Sequence, residues 1–280
     1  MSPRNGFAAR CAKNVLSLNL GSIIRGALGG PKEGLQSLAD TYRAVSPFSP
    51  LQTGKGEKLL ARIPEVSLAS VAPIPERLTL DLRYVDVDGA TPYRDVLAII
   101  ALAVARSPKA VLEFGTYYGS TTANLALNLP EAHIHTLDLP EDTEAAAALV
   151  EGQPVDDEHL IRGRQLGKSF RGTPLAKNIT QHQGDTATYD YTSIQDDITF
   201  FLIDGSHTYE YAKGDTLHSF RLAKGECSVL WHDCDRYHPG VTSWLGEMLD
   251  AGLPVVRLEN TSLAYLSIDA SEARVQQLIA

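Results

Sequence analysis

From residue 91 onward, short apolar runs alternate with helix-forming stretches, and this alternation restricts the fold more than any other feature of the chain. The runs are AVLEF (110–114), HIHTLD (133–138), ITQHQGD (179–185), ITFFLID (198–204) and SVLWHD (228–233). Strands and helices that alternate in this way pack as a parallel sheet covered on both faces. Two further runs, PVVRLE (254–259) and LAYLSID (263–269), are joined only by NTS. That link is too short for a crossover helix, so the last two strands must pair antiparallel. The expectation is an α/β fold with seven strands, helices on both faces and a terminal antiparallel hairpin.

The catalytic-sized unit is expected over 91–280, with 1–90 an accessory region of arm and helices. Within 1–90, Gly and Pro interrupt the chain at GGPKEG, SPFSPLQTGKGE and VAPIPER, and LTLDLRYVDVDG alternates like an edge strand. The unit opens on TPYRDVLAIIALAVARSPKA, where Thr91 is placed to cap a helix with Pro92 at its first position. That helix is apolar nearly all round, so it should be buried on more than one side.

Charge and length exclude several classes. The net charge of −9 argues against nucleic acid as a partner, and no apolar run reaches the roughly eighteen residues of a membrane span. Residues 1–32 nevertheless carry Arg4, Arg10, Lys13, Arg25 and Lys32 with no acid, which superficially resembles a transit peptide. The preferred reading is an amphipathic arm that docks on its own subunit or on a second copy, giving a homo-oligomer. Cys11, Cys227 and Cys234 have no zinc-type spacing, which suits reduced thiols in the cytoplasm, with Cys227 a small buried hydrophobe.

The first strand is followed by GTYYGSTT. Gly115 allows a tight turn, Gly119 lets the next helix come close, and Ser120 or Thr121 is placed to cap that helix. Its free amides suit a polar ligand group. Asp138 ends the next strand, where an acid accepts both hydroxyls of a ribose. Together these features point to an adenosine-containing ligand. The glycine spacing is G-x-x-x-G, with Tyr117 where a dinucleotide fold needs a glycine to admit pyrophosphate. Glu113 beside the turn also disfavours pyrophosphate and suits a cation, such as the sulfonium of S-adenosylmethionine.

The motifs VLEFGTYYGSTT, HTLDLP, QGD, FLIDGSHTYEYAKGD and LWHDCD, in this order over 91–280, resemble the class I S-adenosylmethionine-dependent methyltransferases. Within them the chain looks most like a bacterial subgroup with D-G-S-H and W-H-D motifs. The resemblance implies a Rossmann-like seven-stranded sheet. It implies that Glu113, Gly115, Thr116, Gly119 and Ser120 line the methionine arm, that Asp138 holds the ribose, and that Leu139 touches the adenine and Asp185 its amino group. Each residue also has a structural alternative: Gly119 for helix packing, Asp185 as a strand-end cap, Glu113 as the partner of a lysine or arginine.

Methyl transfer needs alignment and a deprotonated acceptor, which directs attention to Asp204, His207, His232 and Asp233. The resemblance implies a divalent cation held by Asp204 and Asp233. His232 stands where an acid is usual, a substitution that favours manganese, iron or zinc over magnesium. A strand that stays extended would point His232 away from Asp233, so His232 joins the site only if the strand end twists. Without a metal, His207 or His232 is the candidate base, with Asp204 supporting it, and His238 is read as loop structure. The expected activity is O-methylation of a small polar acceptor, a sugar, polyol or natural product. The alternatives are a metal-dependent hydroxylase or oxidoreductase on the same scaffold and a non-catalytic adenosyl-ligand binder. The forty-residue connection after Asp138 is either a wall of the site or a surface element.

Overall fold

The computed structural model describes residues 56–84, 87, 89–149 and 164–280, together with a short strand, β1 (Val15–Asn19). The rest of the basic arm lies outside the described residues, as does Cys11. The elements that follow are β2 (Glu65–Val66), α1 (Leu68–Val71), β3 (Arg77–Asp81), α2 (Tyr93–Arg106), β4 (Ala110–Phe114), α3 (Ser120–Asn128), β5 (His133–Asp138) and α4 (Thr143–Leu149). After them come β6 (Ile179–Gln183), β7 (Phe200–Ile203), α5 (Tyr209–Leu222), β8 (Glu226–Trp231), α6 (Pro239–Asp250), β9 (Val256–Leu258), β10 (Ala264–Asp269) and α7 (Ala273–Ile279).

The main sheet runs β2-β9-β10-β8-β7-β4-β5-β6. β6, β5, β4, β7 and β8 are mutually parallel, while β10 is antiparallel to both β8 and β9. All seven strands expected from the apolar runs are present. An eighth, β2, pairs parallel with β9 and carries only two residues, too few for any pattern to reveal. β3 lies apart from this sheet and pairs antiparallel with β1.

Each face of the sheet carries its own core. On one side, α2 and α3 pack with Leu78 and Leu80 of β3 over Val111, Ile134 and Leu230. On the other, Phe220 of α5, Trp244 and Leu245 of α6 and Val275 of α7 cover Leu112, Phe114 and Trp231. Every residue of α2 from Asp95 to Ala103 is buried, as its all-round apolarity requires. Among the described residues no helix is long and apolar enough to cross a membrane.

Two asparagines one turn apart on α3 join β3 to the core. Asn124 Oδ1 accepts the Asp81 N–H at 2.8 Å and its amide donates to the Asp81 carbonyl at 3.0 Å. Asn128 repeats the pairing with Thr79 at 2.8 and 2.7 Å. These side chains satisfy a backbone edge that would otherwise be left unpaired. The segment just before residue 91 is therefore built into the sheet through β2 and into the core through β3.

Neither expected cap coincides with the observed one. Pro92, not Thr91, is the N-cap of α2, and Gly119, not Ser120 or Thr121, is the N-cap of α3. The Thr91 hydroxyl instead donates to Asp204 Oδ2 at 2.9 Å. Gly119 starts α3 in the left-handed conformation, at φ 73°.

Candidate active site

The turn after β4 is built on backbone contact. Gly115 has φ 95°, and a Cβ there would lie 2.0 Å from the Asp204 carbonyl oxygen, so no side chain fits. Asp138, at the end of β5, faces this turn. The Thr116 and Tyr117 amides donate to its Oδ2 at 3.0 and 2.8 Å, and the Leu139 amide donates to Oδ1 at 2.7 Å. Arg164 Nη1 donates to the same Oδ1 at 2.9 Å and forms a buried ion pair with it.

Arg164 belongs to the long connection after Asp138, and it also donates to the Leu139 and Pro140 carbonyls. The following residues cross the glycine turn. Gly167 N–H donates to the Tyr117 carbonyl at 2.8 Å and Ser169 N–H to that of Tyr118 at 2.9 Å. The Phe170 ring fills the space that a Cβ on Gly119 would occupy, at 2.5 Å. Gly119 thus serves close packing, and the described part of the connection is a wall of the site.

Glu113, on β4, is 1% exposed. Its partners are hydroxyls rather than a lysine or arginine: Thr136 Oγ1 donates at 2.6 Å, Thr122 donates to the same oxygen, and Thr116 meets Thr136 at 2.7 Å. Burial pushes the Glu113 carboxyl up to about 8, with Asp204 and Asp138 adding to the rise and the two hydroxyls opposing it. Ser120 Oγ is buried and makes no hydrogen bond. Asp185 Oδ1 accepts from the Ala187 amide at 3.0 Å in the turn after β6, whereas its buried Oδ2 makes no hydrogen bond. Nearby on α5, burial raises the Asp215 carboxyl to about 7, the Thr186 hydroxyl opposing and Asp185 adding to it.

The acids that follow β7 and β8 converge through a break in strand geometry. β8 ends at Trp231, and Asp233 takes φ 54° in the left-handed region. This twist turns His232 and Asp233 toward one place, where an extended strand would separate them. His232 Nδ1 lies 2.9 Å from Asp204 Oδ1 and 2.9 Å from Asp233 Oδ2. Its Nε2 faces Asp95 Oδ2 at 3.2 Å and Ser262 Oγ at 3.1 Å. His207 Nε2 is 2.7 Å from Asp233 Oδ2. His238, expected to be loop structure alone, stacks at a tilt on His207 with ring centres 4.4 Å apart. Its Nδ1 lies 3.0 Å from Asp235 Oδ1 and 3.6 Å from Asp233 Oδ1.

The electrostatics follow from this packing. Burial alone would lower the His232 pKa, but Asp204 and Asp233 overcome it and hold the ring well above its ordinary value, as an imidazolium. Burial alone would raise Asp233, but the His232, His207 and His238 rings hold it well below the carboxylate range. The two acids that the sequence leaves without a counter-charge are therefore bridged by His232. The donor atoms of Asp204, His232 and Asp233 lie within 4.8 Å of one another, as do those of His207, Asp233 and His238. A cavity of about 10 Å³ against Asp204, His207 and His232 has room for one water.

Asp95, Arg164 and Ser262 were not singled out from the sequence. Asp95 had a signal, an acid inside an otherwise apolar helix run. The others had none, because their partners lie far away along the chain.

Residues 112–234 match the family model of a methyltransferase domain. No curated protein matches the chain in sequence. Among solved structures, the chain is similar to the O-methyltransferase TomG of Streptomyces achromogenes, involved in tomaymycin synthesis, in complex with SAM. Identity is 15%, coverage 85% of this chain and 98% of that one, and the TM-score 0.45. It is also similar to an SAH-bound methyltransferase of Podospora anserina (15% identity, 85% and 96% covered, TM-score 0.46). An O-methyltransferase of Bacillus cereus in complex with SAH is similar as well (12% identity, 85% and 98% covered, TM-score 0.42).

Proposed function

We propose that this chain is an S-adenosylmethionine-dependent methyltransferase that methylates a hydroxyl of a small polar acceptor. The observation that carries the reading is the methyltransferase-domain match over 112–234, which contains the Gly115 turn, Asp138, Asp185, Asp204 and Asp233. When bound, S-adenosylmethionine supplies an electrophilic methyl group on a sulfonium.

Several features favour such a ligand over a dinucleotide. Glu113 and the unpartnered Ser120 Oγ are buried beside the turn, where a cationic amino acid arm gains a hydroxyl and draws the proton from Glu113 to gain its carboxylate. Asp138 holds the ribose, Leu139 covers the adenine, and the unpartnered Asp185 Oδ2 accepts from the adenine amino group. Gly115 and Thr116 bring the backbone close to the ligand. Tyr117 blocks the approach of a pyrophosphate.

On the acceptor side, Asp233 accepts a hydrogen bond from His207 Nε2–H and fixes the ring, so that His207 Nδ1 takes the acceptor's proton. Asp204, Asp233 and a deprotonated His232 would also hold a divalent cation, which would lower the pKa of an acceptor hydroxyl. A nitrogen ligand makes manganese a better occupant than magnesium. Residues 1–32 act as an assembly arm in a cytoplasmic protein, outside the catalytic chemistry.

The test combines binding with turnover. Calorimetry should give micromolar-class affinity for S-adenosylmethionine or S-adenosylhomocysteine and none for NAD. Incubation with methyl-labelled S-adenosylmethionine and a panel of sugars, polyols and phenols should label an acceptor hydroxyl. Tight NAD binding, or no affinity for either adenosyl ligand, would remove the reading. Chelation followed by restoring metals singly separates the two routes, since full activity in metal-free protein leaves His207 as sole base.

A further inference from the structure

A second group of titratable side chains lies at the other end of β5. His133 begins that strand, about 16 Å along it from Asp138 at roughly 3.3 Å per residue. The two-residue period places His133 and His135 on one face, with ring centres 4.2 Å apart. Asp196, from the loop before β7, meets both. His133 Nδ1 is 2.6 Å and His135 Nε2 2.7 Å from the same oxygen, Asp196 Oδ2.

We infer that His133, His135 and Asp196 form a binding site for a divalent transition-metal ion of the zinc type, separate from the Asp204–Asp233 group. Their donor atoms all lie within 4.8 Å of one another, so a small movement of Asp196 places one ion in reach of all three. Two imidazole nitrogens and a carboxylate oxygen form a borderline donor set, suited to zinc, cobalt or nickel and poorly suited to magnesium or calcium. Two of the ligands come from one rigid strand, which limits the ordering cost of closing the site.

The surroundings carry the argument further. A metal-bound imidazole uses one nitrogen and needs a partner for the N–H of the other. Here both outer nitrogens already have one. His133 Nε2 lies 2.7 Å from Thr180 Oγ1. His135 Nδ1 lies 2.9 Å from His182 Nε2, His182 Nδ1 lies 2.7 Å from the Tyr189 hydroxyl, and that hydroxyl lies 3.0 Å from Ser193 Oγ. Each of these partners can donate or accept. When an ion takes the inner lone pairs, the protons on His133 and His135 shift to the outer nitrogens, and the His182–Tyr189–Ser193 chain reverses to receive them. Access is also present: the side chains of His133 and Asp196 are 40% and 42% exposed, while His135 is buried. An ion can enter from solvent and keep a water as a fourth ligand. Bound there, it ties the connection between β6 and β7 to β5.

The experiment uses the full chain, stripped with a chelator and dialysed, then titrated with zinc. Wild type is compared with His133→Gln and Asp196→Asn, whose half-exposed positions tolerate substitution, and with Asp233→Asn as a control for the other cluster. The expected result is a tight zinc at this cluster in wild type and in Asp233→Asn, weakened at least tenfold in the other two, with a zinc-dependent rise in melting temperature that follows the same pattern. Cobalt titration should give visible absorption that is lost in the same two variants. Circular dichroism of the metal-free variants checks that each is folded. Zinc affinity unchanged in His133→Gln and Asp196→Asn, loss of zinc only in Asp233→Asn, or no tight zinc in wild type would each overturn the inference.

Discussion

Replacing Asp138 by Ala should damage the fold as well as the ligand site. The carboxylate accepts from three backbone amides and from Arg164, whose side chain is 5% exposed. Removing it strands a buried guanidinium, a change that costs about 3–5 kcal/mol. Water entering at the partly open carboxylate position relieves the amides, so we take about 3–5 kcal/mol as the whole loss. Arg164→Met should cost less, about 1.5–3 kcal/mol, because Asp138 keeps its three amide donors. The double variant should recover part of the Asp138→Ala loss, with a coupling above about 1 kcal/mol. Urea unfolding followed by the fluorescence of Trp231 and Trp244, both fully buried, measures all three. A loss below about 1 kcal/mol in Asp138→Ala, or a larger loss in Arg164→Met, would refute the reasoning. Adenosyl-ligand affinity should fall by about 1–3 kcal/mol in Asp138→Ala, measured where the variant remains folded.

Thr216 Oγ1 accepts from both indoles, Trp231 Nε1 at 2.8 Å and Trp244 Nε1 at 2.9 Å. Thr216→Val leaves two buried N–H groups without partners and should cost about 2–5 kcal/mol in urea unfolding; a loss under about 1 kcal/mol would count against this. The folded pKa of Glu113, about 8, lies above its ordinary 4.5, so its contribution to stability is fully present below pH 4.5 and is lost as pH rises toward 8. Glu113→Gln should therefore flatten the decline in stability between about pH 5 and 8, and an unchanged slope would show that Glu113 does not hold its proton. His207→Ala should lower kcat by about 10²–10⁴ and leave adenosyl-ligand affinity near wild type, as measured by calorimetry beside the labelling assay. Asp204→Ala should abolish turnover, also with ligand binding mostly preserved; a large loss of binding would place Asp204 on the ligand side instead.

The sheet was legible because burial on both faces forces continuous apolar runs, and each such run from AVLEF to LAYLSID became a strand. The two-residue β2 left no such trace, since its place depends on the neighbouring β9 edge. The helix caps differ from those expected because local capping preferences compete with tertiary bonds: the Thr91 hydroxyl is engaged by Asp204, 113 residues away. In the candidate site, Asp138 and the glycine turn were legible as a local strand–turn–helix pattern. The bridging of the two acids was not, because it needs the left-handed backbone at Asp233 and a buried Asp95 137 residues from His232. Arg164 was invisible for the same reason: nothing around it in the sequence announces a guanidinium folded back onto β5.

The contact between Gly115 and Asp204 acts as a ruler. From β4 the chain runs outward to β5 and β6, then returns to β7 on the opposite side of β4. Asp138 and the acids that follow β7 and β8 therefore lie on opposite wings, joined along the seam between β4 and β7. At that seam backbone touches backbone, with Asp204 N–H bonded to the Phe114 carbonyl at 2.9 Å and no room for a Cβ on Gly115. The spacing between the wings is thus set by main-chain dimensions. Exchanging side chains on the β7–β8 wing therefore leaves the distance to the other wing the same.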